Sequence, residues 1–327
     1  MKGRSLGIRA ACLQFRGDWP WLSAVFAIAT HMSNELCFLC GADFGGTTPC
    51  TDPSHDAAWV GTRQTHIQFM NDRLRNRKYV SGVSRWPGFI LLYIVLDLMH
   101  MADLGITQYC LGNVLFELFL ELGGVLGRPL PTMARLVAFL KDAAIQLGVT
   151  CPVTALALTH IRREKDLVPC LKMKAAKTRS LAPIVLQLLR SHFPPQNERE
   201  NVRMHCVRQV VVMYDEFKAW KPGSAAIVAD CCRRHELLYM ELARLEIARV
   251  GAEHWLRWRW FPKHHMMLHL TKEQAEEFGN PACFWNYADE RAIGTCVDLA
   301  ESSHVGTLSD TTMQKYRADV WATLCAS

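Results

Sequence analysis

The stretch FILLYIVLDLMHMADLG, residues 89–105, joins two signals that decide how the chain is read. Its first half, Phe89 to Leu96, is an unbroken apolar run rich in β-branched residues and reads as a buried strand. Asp97 and His100 then stand at the carboxyl end of that strand, where α/β folds place their sites. Far along the chain, PACFWNYADERAIG, Pro281 to Gly294, carries Asp289, Glu290 and Arg291 at the expected start of a helix. A negative side chain there is favoured by the helix dipole and can face a metal or a phosphate. Together the two motifs point to phosphoryl-transfer chemistry.

Bulk properties bound this reading. A chain of 327 residues, half of them apolar, can bury a large core in one or two domains. The excess of 37 Lys and Arg over 31 Asp and Glu gives +6, a mild balance compatible with a polyanion partner. Thirteen cysteines lack the dense, regular framework of a small secreted domain, and the start does not read as a signal peptide, so a reducing, intracellular compartment is expected. The longest apolar stretches fall short of the roughly 18 residues of a membrane span, so no membrane partner is expected.

Working outward from the central strand, RAACLQFRGDWPW reads as a short strand over Ala10 to Phe15 that delivers Asp18, followed by a helix over Leu22 to Met32. Residues 37–87 are irregular by composition, apart from a helix around Ala57 to Arg75. Beyond the strand, helical patterns cover 108–124, 132–147, 180–192, 197–220, 224–250 and 264–278, with proline- and glycine-bearing breaks between them. Two last helices are expected at Asp289 to Ser302 and Thr311 to Leu324.

Four stretches in this order resemble the transposase domains of CACTA-type (TNP2-like) DNA elements: RGDWPWLSAVFAIATHMSNELCFLCGA, LDLMHMADLG, KHHMMLHLTKEQAEEFGNP and FWNYADERAIG. The resemblance spans nearly the whole chain, and its most specific step is Glu-Arg-x-x-Gly. It implies an RNase-H-like core of the DDE superfamily interrupted by a helical insertion, working in the nucleus. It makes Asp18 the second and Glu290 the third member of a carboxylate triad for two Mg2+ or Mn2+ ions. Such ions, about 4 Å apart, activate a hydroxyl and stabilise the leaving oxygen in phosphodiester cleavage and strand transfer. The family's first aspartate stands on an opening strand that needs roughly 40 residues before the second acid, given strands of 5–6 residues. Only 17 precede Asp18, so this chain is expected to be a partial, inactive core.

Each motif also has a plainer reading. Asp18 can simply cap the next helix; Asp97 and His100 can be a hydrogen-bonded pair at a strand end, supporting metal ligands rather than ligating. Glu290 can begin a solvated helix. Cys37 and Cys40 have zinc-knuckle spacing, with Cys50, His55 and His66 following, and a Zn2+ site there would staple an irregular loop. Its other two ligands stay open. His265 and His269, four apart, lie on one helical face, either as an edge of a packed helix or in support of the catalytic metals. Arg162, Arg163, Lys172, Lys174, Lys177 and Arg179 form the densest basic segment, suited to DNA phosphates. The run HWLRWRWFPKHH suits base stacking, or buried tryptophans.

The expectation is therefore an α/β fold, mostly helical overall. It has a partial RNase-H-like core over residues 1–100 with a Cys-rich loop at 37–87, a helical insertion over 101–280, and C-terminal helices over 281–327. The alternative is a noncatalytic helical module that binds DNA or protein.

Overall fold

In the computed structural model, residues 14–30, 33–75, 80–301 and 311–318 are described. The chain divides into two units, Met1–Phe284 and Trp285–Ser327.

Within the first unit, β1 (Phe15–Gly17) pairs in parallel with β2 (Ile94–Leu96), Phe15 opposite Ile94 and Gly17 opposite Leu96. Every residue of β2 is buried, as a strand apolar on both faces requires. The apolar run from Phe89 is strand only over these last three residues, since Leu91–Tyr93 turns into a 3-10 helix ahead of them; at the carboxyl end β1 stops at Gly17, where Asp18 opens a helix. The other edge of β2 is closed by a side chain. The Gln274 carboxamide accepts from the Leu96 amide and donates to the Ile94 carbonyl, both at 3.0 Å, taking the place of a third strand. Among the described residues, the expected α/β core is this two-stranded parallel sheet, and the architecture is mostly helical. The expected strand residues 10–13 lie outside the described residues.

Helix α1 (Trp19–Phe26) is shorter than expected because Ala27 takes a left-handed conformation, φ 52°, that ends it; residues 31 and 32 lie outside the described set. The helix expected over Ala57 to Arg75 is broken into a 3-10 turn, Ala58–Thr62, and α2 (His66–Arg75). The break falls at Thr65, whose hydroxyl accepts from the Gln68 amide while the Gln68 side chain accepts from the Thr65 amide, a reciprocal cap.

After β2, a π-helical segment, Met99–Ile106, is broken at Leu104 and Gly105 before α3 (Thr107–Glu121) begins. The Leu104 carbonyl released by that break accepts from the half-buried Lys263 ammonium at 2.6 Å. A Cβ on Gly105 would lie 3.1 Å from both the His100 carbonyl and the Lys263 side chain, so glycine permits the close approach. The helical block continues with α4 (Leu130–Gln146), α5 (Leu158–Ile161), α6 (Ala175–Ser191), α7 (Glu198–Lys218) and α8 (Ser224–Val250). The long helices fall within a few residues of the positions their apolar periodicity predicts; α6 starts earliest, at Ala175, five residues ahead. Its core is locked by a buried ion network: Arg203 bridges Glu117 and Glu121, Arg199 reaches Glu117, and Arg257 joins Glu117 to Glu246. Removing one partner of such a network leaves an uncompensated buried charge, at about 3–5 kcal/mol.

The segment expected as one helix over 264–278 is a continuous run of α9 (Pro262–His269), a π-turn (Leu270–Gln274) and α10 (Ala275–Phe278). The second unit holds α11 (Tyr287–Glu301) and a helix over residues 311–318. The expected remainder of that last helix, 319–324, lies outside the described residues. No helix among the described residues is long and apolar enough to cross a membrane.

Candidate metal centre and strand-end acids

The parallel register sets Asp18 and Asp97 one residue beyond the paired Gly17 and Leu96. With neighbouring strands about 4.8 Å apart, the two backbones leave the sheet side by side. The two carboxylates are used differently. Asp18 is half-buried and accepts the Trp21 amide through Oδ1 at 2.8 Å, a helix N-cap. Asp97 is buried, and both of its oxygens are occupied: Oδ1 accepts from the Met99 amide at 3.1 Å, and Oδ2 accepts from the His100 amide at 3.1 Å and contacts His100 Nδ1. Asp97 therefore fixes the His100 ring, as expected for a supporting pair, while Asp18 performs the capping role of its plainer reading.

Glu290 lies in the first turns of α11, exposed, its amide donating to the Asn286 carbonyl at 2.8 Å. It belongs to the second unit. That helix opens at Tyr287, two residues before the expected start, and the Asp289 side chain lies outside what is described.

A second constellation is more tightly built. Cys37 and Cys40, from the irregular loop, meet His265 and His269 of α9, and one donor atom from each of the four lies within 4.8 Å of the others. All four residues are buried. Cys40 Sγ stands 3.3 Å from His265 Nε2 and 3.4 Å from His269 Nε2, and the two Nε2 atoms are 3.2 Å apart. Zn–S bonds of about 2.3 Å and Zn–N bonds of about 2.0–2.1 Å place the donor atoms of a tetrahedral site roughly 3.3–3.8 Å apart. The three edges among Cys40, His265 and His269 lie at or just below the short end of that range, and Cys37 completes the set within 4.8 Å. Buried Cys and His in this arrangement could hold a metal such as zinc.

The surroundings fit the same reading. The Leu39 amide points at Cys37 Sγ, 3.3 Å away, inside the turn made by the Cys-x-x-Cys spacing. Trp59 presents its ring edge-on to both imidazoles, at 4.6 and 5.3 Å between centroids. His269 Nδ1 bonds Glu273 Oε2 at 3.0 Å, and Glu273 also pairs with Arg63 of the loop. A carboxylate behind a histidine fixes its ring orientation and raises its basicity as a ligand. A hydrogen bond from Cys37 and further ones from the two histidines hold the Cys40 thiol down at about 2, so it stands as a thiolate; burial pushes the Cys37 thiol well up. Burial opposes charge on His269, yet Cys40 and Glu273 hold its ring up at about 9. In a metal complex one cation takes over from these protons.

The two further donors that the sequence left open are supplied in this cluster by His265 and His269, placed directly on Cys40. Cys50 lies elsewhere in the core, its thiol pushed up to about 12 by burial; His55 is exposed, and His66 sits edge-on to Phe89. The π-turn after α9 explains how one short segment serves two sites. Glu273 reaches back to the His269 ring while the adjacent Gln274 closes β2, so the metal centre and the strand end share a support.

The basic segment divides. Lys172, Lys174 and Lys177 are exposed around the start of α6. Arg162 bonds the Leu167 carbonyl, Arg163 pairs with Asp166, and Arg179 lies 3.8 Å from buried Asp103, so these three guanidinium groups serve internal structure. Of the aromatic run, Trp258 and Trp260 are buried, and the Trp258 indole donates to Glu117 at 2.7 Å. Base stacking on these two rings is excluded, and the buried-tryptophan reading holds.

Sequence reasoning missed Gln274, Glu273 and Arg63. Their roles depend on a helix and a loop meeting across some two hundred residues, and no local pattern carries that. The i, i+4 histidines were the available signal for the metal centre. Comparison of the chain with protein-family models, with curated proteins and with solved structures finds no match.

Proposed function

We propose that the chain is a transposon-derived protein: a zinc-stapled, RNase-H-like, DDE-type transposase core that binds DNA in the nucleus. One observation carries the reading. Two acids leave adjacent parallel strands side by side at their carboxyl ends, Asp18 from β1 and Asp97 from β2. A divalent-cation nuclease site needs this placement, and α/β sheets supply it. Asp18, whose Oδ1 caps α1, offers its second oxygen to Mg2+ or Mn2+; Asp97 holds His100 in place beside it. Bound cations would lower the barrier to in-line attack on a phosphodiester by activating the nucleophile and steadying the leaving oxygen. Zinc at Cys37, Cys40, His265 and His269 has a different task, tying the loop to α9 so that the strand end keeps its shape. Lys172, Lys174 and Lys177, exposed at the amino end of α6, supply phosphate contacts.

Manganese binding to the zinc-loaded protein, followed by electron paramagnetic resonance, tests the reading. Asp18→Asn is expected to weaken Mn2+ binding tenfold or more with the fold intact by circular dichroism. Binding unchanged in that variant would overturn it.

The caps favour a second reading. The Asp18 carboxylate holds the start of α1 and the Asp97 carboxylate the turn after β2, roles that need no metal. On this reading the protein is a noncatalytic DNA- or protein-binding module. Duplex DNA binding that falls on replacing the three lysines by Glu, with no response to Mn2+, would select it.

A further inference from the structure

His264, the neighbour of His265 on α9, enters a separate buried cluster with His235 and Glu236 of α8. All three residues are fully buried, and one donor atom from each lies within 4.8 Å of the others. The polar groups are poorly satisfied for such a place. His264 Nδ1 bonds Glu236 Oε2 at 2.6 Å, and His235 Nδ1 lies 3.0 Å from the Cys206 carbonyl. Against those bonds, His235 Nε2, Glu236 Oε1, His264 Nε2 and the adjacent Trp260 Nε1 are buried without a partner. Native interiors rarely leave polar atoms so, and several in one place call for a ligand, an ion or a water.

The hydrogen bonds specify what is missing. A carbonyl only accepts, so His235 donates through Nδ1 and keeps the lone pair on Nε2. A histidine anchored through one nitrogen to a backbone carbonyl and offering the other is the usual arrangement of a metal ligand. Glu236 brings a carboxylate into a fully buried place where the nearest candidates for positive charge are the two imidazoles, and a cation would balance it. Nearby Cys110 and Cys206 stand 4.0 Å apart, Sγ to Sγ, but Cys206 meets His235 at Nδ1, the nitrogen already committed to the carbonyl. Two imidazoles and a carboxylate suit zinc, which takes this donor set with water in the fourth position.

We propose that His235, Glu236 and His264 form a second buried metal site, distinct from the Cys37, Cys40, His265 and His269 centre, that takes a divalent cation of the zinc class with a water as its remaining ligand. The ion would be held by His235 Nε2, the Glu236 carboxylate and an imidazole nitrogen of His264, tying α8 to α9, with the Trp260 indole stacked on the His264 ring at 4.7 Å between centroids. It does not depend on the nuclease-derived reading.

Metal content of the purified full chain, with cobalt substitution, tests it. Two equivalents of zinc per chain are expected. Cys37→Ser/Cys40→Ser and His264→Gln should each keep one, and the isosteric Glu236→Gln should weaken the second equivalent tenfold or more while leaving the first in place. Cobalt should saturate in two steps, one with a thiolate charge-transfer band and one without it. The cobalt titration needs no variant, so it stands even where a substitution prevents folding. Saturation at a single equivalent, or a second equivalent indifferent to both His264→Gln and Glu236→Gln, would overturn the proposal.

Discussion

The Cys/His centre and the strand-end acids lie at two ends of the same support, yet their donor atoms are committed differently. At the centre, Sγ of Cys40 and the Nε2 atoms of His265 and His269 face one another at 3.2–3.4 Å, with Glu273 behind the His269 ring. At the strand end, Asp97 is saturated by two amides and a histidine, and Asp18 spends one oxygen on a cap. Donors turned toward each other in a buried place have no stable arrangement without a proton or a cation, whereas acids turned toward backbone amides are content as they are. The first geometry could hold a metal such as zinc; the second is satisfied by protein groups.

Four experiments break or sharpen that contrast. The largest effect is expected at the centre: Cys40→Ser, or stripping zinc with a chelator, should destabilise the protein by on the order of 4–5 kcal/mol, because loss of a structural metal removes folding free energy directly. Urea unfolding measures this, and limited proteolysis should cut within residues 37–65; a stripped protein as stable as the loaded one would erase the distinction. Next, Gln274→Ala strands the Leu96 amide and the Ile94 carbonyl inside the core, at about 1–3 kcal/mol for each unpaired group. Hydrogen exchange at Leu96 should accelerate in that variant. Third, Glu273→Gln weakens the support behind His269 without touching a ligand, so competition with a chromophoric chelator should report a 10- to 100-fold loss of zinc affinity and little change at β2. The smallest change is at Asp18: Asp18→Ala should cost about 1 kcal/mol as a lost cap, and Asp18→Asn, which still accepts the Trp21 amide, only a few tenths. A much larger cost in Asp18→Asn would mean that the carboxylate charge itself holds the fold.

The helical block was legible because its helices carry their own signals. The apolar period over α3, α4, α7 and α8 and the breaks at Pro129, Pro194 and Gly223 depend only on neighbours in sequence, so the expected and observed ends agree within a few residues. The strands were read less well. The run Phe89 to Leu96 has strand composition throughout, but Leu91–Tyr93 turns into a 3-10 helix ahead of the three paired residues. The Asp97–His100 contact was legible because its members are three residues apart. The Cys2His2 set was half legible: each pair has ligand spacing, at i, i+3 and at i, i+4, but the join across more than two hundred residues is a tertiary fact. Arg163 and Arg179 show the converse error, since a charge run looks like a binding face until the acids that neutralise it, Asp166 and Asp103, are brought alongside.

The claim on which the account most depends is that Cys37 and Cys40 share one metal with His265 and His269. Cobalt absorption of the full chain tests it most directly. Thiolate-to-cobalt charge transfer with tetrahedral ligand-field bands is expected, the charge transfer abolished by replacing both cysteines with serine and the ligand-field bands displaced in His265→Gln and His269→Gln. A spectrum that keeps its thiolate bands unchanged when both histidines are replaced would contradict it.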